Sequence, residues 1–454
     1  MSYIGNTPTT QSFISGTDYF NGTGAQTAFT LSRTVASVND IQAVVNNVVQ
    51  VPNDAYTISG TTITFTSAPS AGTQNVYVRY LSTTTQAITP SQGTVSWSTL
   101  DSNVQGDLGV MFKNRIINGN MVIDQRNAGA SVTVNAASQF FSVDRYYAYG
   151  QNTDGVYTLQ QSSTAPAGFS NSLLATVTTA DASIGASQFY FISQAIEGLN
   201  CTDLNWGSAN AKTVTLSFWV RSSVTGTFGG SIRNADVSRS YAFTYTISSA
   251  NTWEQKSITI VGDTSGTWLV NNLAGMYIGW SFGEGSSGLT TAGSWVAGSY
   301  RGATGQTNLI ATNGATWYIT GVQLEVGTQA TTFTTAGGSY GAEYALCQRY
   351  YFRNNTSVGY TAYLQGSADS TTSVFLSEQL PVRMRANPTF AQSGMDLYGQ
   401  PSGGVSIGAI TNRSNQNTAS ILIATTGASV GTGYRFESST GSGLSGYVEY
   451  SAEL

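Results

Sequence analysis

The chain has 454 residues and a mass of 47.8 kDa, enough to build a sizeable core without disulfides or metals. Only 9% of the residues are charged, 50 are Gly, and the net charge is −5 with 18 basic residues that form no run; this excludes a sequence-independent phosphate-binding surface and favours β-structure with tight turns. There is no His, so Ser-His-Asp and Cys-His catalysis, His-ligated zinc and His-based pH switching all lose their central residue.

The first 85 residues read as a small β-domain of four or five short strands. Ile41-Gln42-Ala43-Val44-Val45 and Val48-Val49-Gln50-Val51 flank Asn46-Asn47, and Asn tolerates the positive φ that a two-residue hairpin turn needs. Tyr56-Thr57-Ile58 and Thr62-Ile63-Thr64-Phe65 follow around Ser59-Gly60-Thr61, then Ala68-Pro69, Gly72 and Val76-Tyr77-Val78-Arg79-Tyr80. With Phe29-Thr30-Leu31 ahead of the hairpin, this order resembles the N-terminal domain of podophage-type tail fibres. The resemblance implies a domain that fastens a fibre trimer to the tail; a generic β-sandwich is the alternative.

Residues 86–112 have linker composition, and Leu100, Val104, Leu108 and Met111 recur at helical spacing, which predicts a short helix despite Gly106 and Gly109. From Lys113 to about residue 335 the pattern is of strands with no helical period, as a jelly roll requires: two antiparallel sheets around one core. Strands are expected at Asn114–Met121 and Val122–Arg126, then at Val143–Tyr147, Thr213–Arg221 and Ala315–Gly327. The ordered motifs N-R-I-I-N-G-N-M-x-I-D-Q-R-N, V-D-R-Y-Y, F-W-V-R and I-T-G-V-Q-L-E-V-G resemble the carbohydrate-binding-module-like jelly roll of phage tail fibres. That resemblance implies paired first and last strands, and it raises a structural calcium with Asp124, Asp144 and Glu325 as oxygen ligands, although no D-x-D-x-D-G loop is present. No other cofactor or metal is expected.

Residues 336–454 begin with Ser339-Tyr340-Gly341-Ala342-Glu343-Tyr344-Ala345-Leu346-Cys347-Gln348-Arg349-Tyr350-Tyr351, the segment with the most helix formers together; the same family places an E-x-x-x-C-Q-R-Y-Y helix-like segment here. A C-terminal β-domain follows, with strands expected at Leu380–Thr389, Ser420–Ala424 and Gly446–Leu454, an ending that suits a fibre tip. The fold expectation is therefore all-β: N-terminal β-sandwich, central antiparallel jelly roll, C-terminal β-domain, and one or two short helices at linkers.

Cys201 and Cys347 are far apart with no C-x-x-C spacing, so both are expected as buried thiols. The N-terminus lacks a basic and apolar leader, and no stretch approaches 18 apolar residues, so neither classical secretion nor membrane insertion is expected. A virion component, assembled in a host cytoplasm and later exposed, reconciles this with the Ser/Thr/Gly-rich, adhesin-like composition.

Carboxylate catalysis would draw on Glu197, Glu254, Glu284 and Glu325. Glu325 is expected to accept hydrogen bonds at a sheet end, Glu254 to be solvated and Glu284 to sit in a surface loop; no pair is fixed by spacing, and no enzyme is expected. Saccharide binding needs only aromatic faces and polar groups. Strand alternation sets Ile278, Trp280 and Phe282 on one face and Tyr277, Gly279 and Ser281 on the other. Tyr277, Trp280, Trp295 and Tyr300 are the candidate ligand-binding residues; the competing expectation is that Trp219, Trp280 and Trp317 fill the sandwich. The resemblances imply a homotrimeric tail fibre that joins a tail, baseplate or adaptor protein through its N-terminal domain and adheres to host surface glycan, with no nucleic-acid partner. A head fibre, capsid decoration or tail collar without receptor contact is one alternative, and a polysaccharide depolymerase is another.

Overall fold

The structure, a computed structural model, describes residues 16–81, 112–135, 139–151, 154–355, 362–399, 403–438 and 446–454. The chain divides into two compact units, residues 1–99 and 100–454. The helix expected at Leu100–Met111 lies outside the described residues.

In the first unit, a four-stranded antiparallel sheet runs in the order Thr17–Gly22, Gly72–Tyr80, Ile41–Val45, Val48–Val49, beside a three-stranded sheet of Ala28–Thr30, Thr62–Phe65 and Tyr56–Ser59. The Asn46-Asn47 hairpin forms as the sequence predicts: Val45 pairs with Val48, and the two Asn take φ of 49° and 64°. Alternate residues Phe29, Ile41, Ala43, Ile63, Val76 and Val78 form the core between the sheets, as the period of two requires.

The second unit is built around an antiparallel sandwich. Its front sheet has seven strands in the order Trp295–Ala297, Arg239–Ile247, Gly226–Asn234, Ala274–Glu284, Phe189–Glu197, Tyr146–Gln151, Gln139–Phe141. Its back sheet has six: Glu254–Ile260, Val214–Ser222, Thr316–Val326, Ser172–Thr179, Val156–Ser162, Val132–Val134. Between them lies one large apolar cluster. Within it Phe218 meets Trp280 edge to face at 5.6 Å, Phe282 meets Trp317 at 5.1 Å, and the Trp317 indole donates to the Tyr245 hydroxyl at 3.1 Å. Such pairs contribute about 1 kcal/mol each beyond area burial.

Three expected strands do not form. Residues 113–126, with the motif N-R-I-I-N-G-N-M, are turns, because Asn118 and Met121 take φ of 59° and 60°. They still lie against the closing strand. Buried Asn114 donates to Val322 O and Thr334 O at 3.0 Å and accepts from the N–H of Ile116 and Leu324. Gly119 passes so close that a Cβ there would stand 2.2 Å from Val322 O. Residues 380–388 likewise form bends rather than a strand; Pro381 and Pro388 have no N–H to give a ladder.

The helix Tyr340–Gln348 forms where helix formers cluster, capped by the Ser339 hydroxyl on Ala342 N. Beyond it, three-stranded and seven-stranded antiparallel sheets enclose a second core of Leu364, Leu376, Leu397, Ile421, Ile423 and Phe436.

A network of polar contacts joins this segment to the jelly roll. Buried Glu343 accepts from Asn118 N at 2.5 Å and Gly337 N at 2.6 Å. Glu197 accepts from Arg349 at 2.9 and 2.5 Å and from the Tyr350 hydroxyl at 2.7 Å. Glu453 takes ion pairs from Arg126 and Arg145, and Arg385 donates to Asn272 O, Ala452 O and Glu453 O. The N-R-I-I-N-G-N-M, D-Q-R, V-D-R-Y-Y and C-Q-R-Y-Y motifs thus meet at one joint, where their polar residues hold the fold together.

Candidate functional site

The front sheet is apolar on both faces. Phe189–Glu197 is buried along its whole length: Tyr190, Ile192 and Ile196 point into the sandwich core, so alternation turns Phe189, Phe191, Ser193 and Ala195 outward. By the same rule Tyr146 and Ala148 face in and Tyr147 and Tyr149 face out, and Ile232 faces in while Arg233 faces out. Register sets Tyr149 opposite Phe191 and Tyr277 opposite both Ala195 and Arg233. The outer face of the sheet is therefore a continuous aromatic surface.

A cavity of about 200 Å³ opens on this face, lined by Tyr147, Tyr149, Phe189, Phe191, Arg233, Tyr277 and Arg301, with Gln139, Ala235 and Val237 at the rim. Phe189 and Phe191 make its floor, buried at 3% and 4% exposure. Tyr149 stands over them, 5.5 Å from Phe189 and 6.3 Å from Phe191 between ring centroids. At one end Tyr147, Ala195 and Ala274 pack with Leu454. Val237, a β-branched residue, takes φ of 52° in the loop between Gly226–Asn234 and Arg239–Ile247, a conformation that such residues rarely adopt and that clusters at functional sites.

Two guanidinium groups enter the cavity. Arg301 lies over the Phe189 ring at 3.8 Å and grips buried Glu284 with two hydrogen bonds of 3.2 and 3.0 Å. Burial pushes the Glu284 carboxyl up to about 7, with Arg301 opposing it. Arg233 is 6% exposed, 5.4 Å from the Phe191 ring and 5.8 Å from the Tyr277 ring. Among the described residues its Nε has no hydrogen-bond partner, and burial lowers its pKa to about 10.

Of the four residues singled out from sequence, Tyr277 alone lines this cavity. Trp280 is fully buried: its strand has only two faces, and Trp280 is on the one that packs against Phe218. Trp295 pairs with Tyr241 on the edge strand, which places it on the core side; its indole donates to Val261 O at 2.7 Å, and its ring packs edge to face with Trp206 and Trp268 at 5.3 and 5.4 Å. Tyr300 is half-buried beside Gly298. The expected core tryptophans divide similarly: Trp280 and Trp317 are inside, but Trp219 is half-buried on the outer face of the back sheet. Phe218 and Val220 take the inward positions beside it.

Sequence reasoning missed Tyr147, Tyr149, Phe189, Phe191, Arg233 and Arg301. The available signal was aromatic alternation out of phase with the core face, in Y-Y-A-Y and F-Y-F. A strand buried on both sides needs a cover on each.

The carboxylates are all engaged. Glu197 is in the joint and Glu284 is buried rather than in a surface loop. Glu254 accepts from Ser248 N, Ser249 N and Lys256. Glu325 accepts from Gln323, from the N–H and hydroxyl of Thr331, and pairs with Lys113 at 3.4 Å. Of the other calcium candidates, Asp124 accepts from Asn127 N and Gly129 N and Asp144 from Gln125. Among the described residues no three His, Cys, Asp or Glu are grouped to hold a metal ion, and no helix is long and apolar enough to cross a membrane.

No family model and no curated protein matches the chain. Solved structures similar to it include the enzymatically active domain of tailspike protein 4 from bacteriophage CBA120 (13% identity, TM-score 0.23, 48% of this chain and 22% of that one). A putative sugar binding protein from Bacteroides thetaiotaomicron matches at 11% identity and TM-score 0.28, over 47% of this chain and 100% of that one. The family 11 carbohydrate-binding module of a Clostridium thermocellum cellulosomal cellulase matches at 10% identity and TM-score 0.22, over 43% and 99%. The chain thus spans about a fifth of the tailspike domain.

Proposed function

We propose that the protein binds carbohydrate without cleaving it, through the outer face of the front sheet, and serves as a phage tail fibre that adheres to host surface glycan. The observation that carries the binding is the aromatic cavity: pyranose CH groups stack on rings, while Gln139, the tyrosine hydroxyls and the guanidinium groups are the polar groups that orient a saccharide. No hydrolysis follows from this arrangement, because no carboxylate is among the lining residues, and Glu284, which reaches the lining Arg301, is held by it.

The tail-fibre role, attachment through the N-terminal domain, a homotrimer and a place in the virion rest on the two sequence resemblances. Three linked copies of a weak site would bind a repetitive surface through high effective concentration. The test is light scattering of the native protein together with a glycan array. A mass near three times 47.8 kDa with saccharide binding that Tyr277→Ala weakens supports the proposal. A single-chain mass removes the fibre, absence of binding removes the adhesin in favour of a structural decoration, and release of reducing ends makes the protein a depolymerase.

A further inference from the structure

Arg233 has no counter-ion of its own. Glu284 holds Arg301, with both of its oxygens engaged, no acidic residue is among those that line the cavity, and among the described residues no carboxylate lies within salt-bridge distance of Arg233. The rings of Phe191 and Tyr277 lie beside it, and Tyr147, Arg301 and Glu284 act on it through their charges. Arg301 is matched by Glu284, and Arg233 adds a positive charge that no lining residue neutralises. A buried charge left unpaired is costly, and its burial is offset only when a partner of opposite sign and good geometry arrives. Guanidinium groups meet carboxylate, sulfate and phosphate through paired N–H···O bonds.

We propose that the front-face cavity selects an acidic saccharide, whose anionic group pairs with Arg233 while its ring lies against the aromatic residues. This rests on the carbohydrate-binding reading and names the class of sugar that the site takes. Arg233 lies across the sheet from Tyr277, so one sugar ring over Tyr277 can direct an exocyclic anion to the guanidinium. Phe189 and Phe191, as floor, exclude water from the pair and strengthen it.

The test uses the full chain on an array of neutral, uronate-containing, sialylated, sulfated and phosphorylated glycans, with Arg233→Gln and Arg233→Lys beside the wild type. Thermal melts in glucuronate, sulfate or glucose at matched ionic strength check that the variants are folded and read anion binding directly. The expected result is acidic over neutral glycan by at least roughly tenfold. Arg233→Gln should abolish that preference and Arg233→Lys restore part of it, and glucuronate or sulfate should raise the wild-type melting temperature but not that of Arg233→Gln. The set of acidic glycans retained tells carboxylate from sulfate or phosphate. Neutral glycans bound as tightly as acidic ones, unchanged by Arg233→Gln, would overturn the inference and leave carbohydrate binding standing. No glycan bound and no anion-dependent melt would overturn both.

Discussion

The two sheets of the jelly roll share one core and differ on their outer faces. The front face has a cavity floored by buried Phe189 and Phe191, with Arg233 Nε lacking a hydrogen-bond partner among the described residues. The back face also has aromatic residues: Trp253 and Tyr318 lie 6.0 Å apart, and Arg221 is 5.0 Å from the Tyr318 ring. There, however, Arg221 donates to Asn251 O at 2.8 Å. Aromatic content alone does not distinguish a site from a surface. The difference is that the front face buries a guanidinium group, Arg233, with no carboxylate within salt-bridge distance among the described residues.

The comparison can be broken most forcefully at the ion pairs. Arg301→Ala leaves Glu284 buried without its partner and should cost about 3 kcal/mol at pH 8, whereas Arg221→Ala on the back face should cost under about 1 kcal/mol; denaturant unfolding of both variants measures the difference. Equal losses would erase the distinction between the faces.

Removing two half-buried rings of the front cavity, Tyr149→Ala with Tyr277→Ala, should weaken saccharide binding roughly 10- to 100-fold, as titration calorimetry would register. A smaller change would mean that the floor or the guanidinium groups dominate.

The two units should also respond oppositely to pH. Burial pushes Glu284, Asp144 and Glu378 up to about 7 from ordinary values of 4.5, 3.8 and 4.5. The unfolded chain releases these protons first, so stability of the second unit should fall as pH rises from about 4 to 7 and level off above. In the first unit burial raises the Asp18 carboxyl, but hydrogen bonds from Tyr80 and Ser32 and the charge of Arg33 outweigh it, and its pKa is lowered. Its contribution is present above the ordinary value of 3.8 and is lost as pH falls below it. Melting followed by the tryptophan signal reads mainly the second unit, because seven of the eight Trp lie between residues 206 and 317 and Trp97 alone falls within residues 1–99.

The smallest effect is expected on the back face: Trp253→Ala should leave saccharide affinity unchanged within twofold, and a larger loss on the same array would move the site.

Much of the fold was legible because it follows from local rules. Asn46-Asn47 can turn a hairpin where β-branched residues cannot, Ser339 caps the next helix former run, and the alternation of Ile278, Trp280 and Phe282 fixes the core face. The opening motif was misread as strand, since nothing local says that Asn118 and Met121 adopt positive φ; contacts with Val322 and Glu343, over two hundred residues away, hold them there. The site was less legible. Alternation puts Tyr277 on the face opposite Trp280, where the structure also has it, but no local signal shows that pairing with Tyr241 decides the direction of Trp295. Arg233 and Arg301 give no periodic signal, and their meaning comes from which carboxylate reaches one and not the other.

The central claim is that carbohydrate occupies the front face. Hydroxyl-radical footprinting of the full chain, with and without a bound glycan from the array, tests it directly. The account predicts protection of Tyr149 and Tyr277 with Trp253 and Tyr318 unchanged; protection of Trp253 and Tyr318 with Tyr149 and Tyr277 still reactive would contradict it.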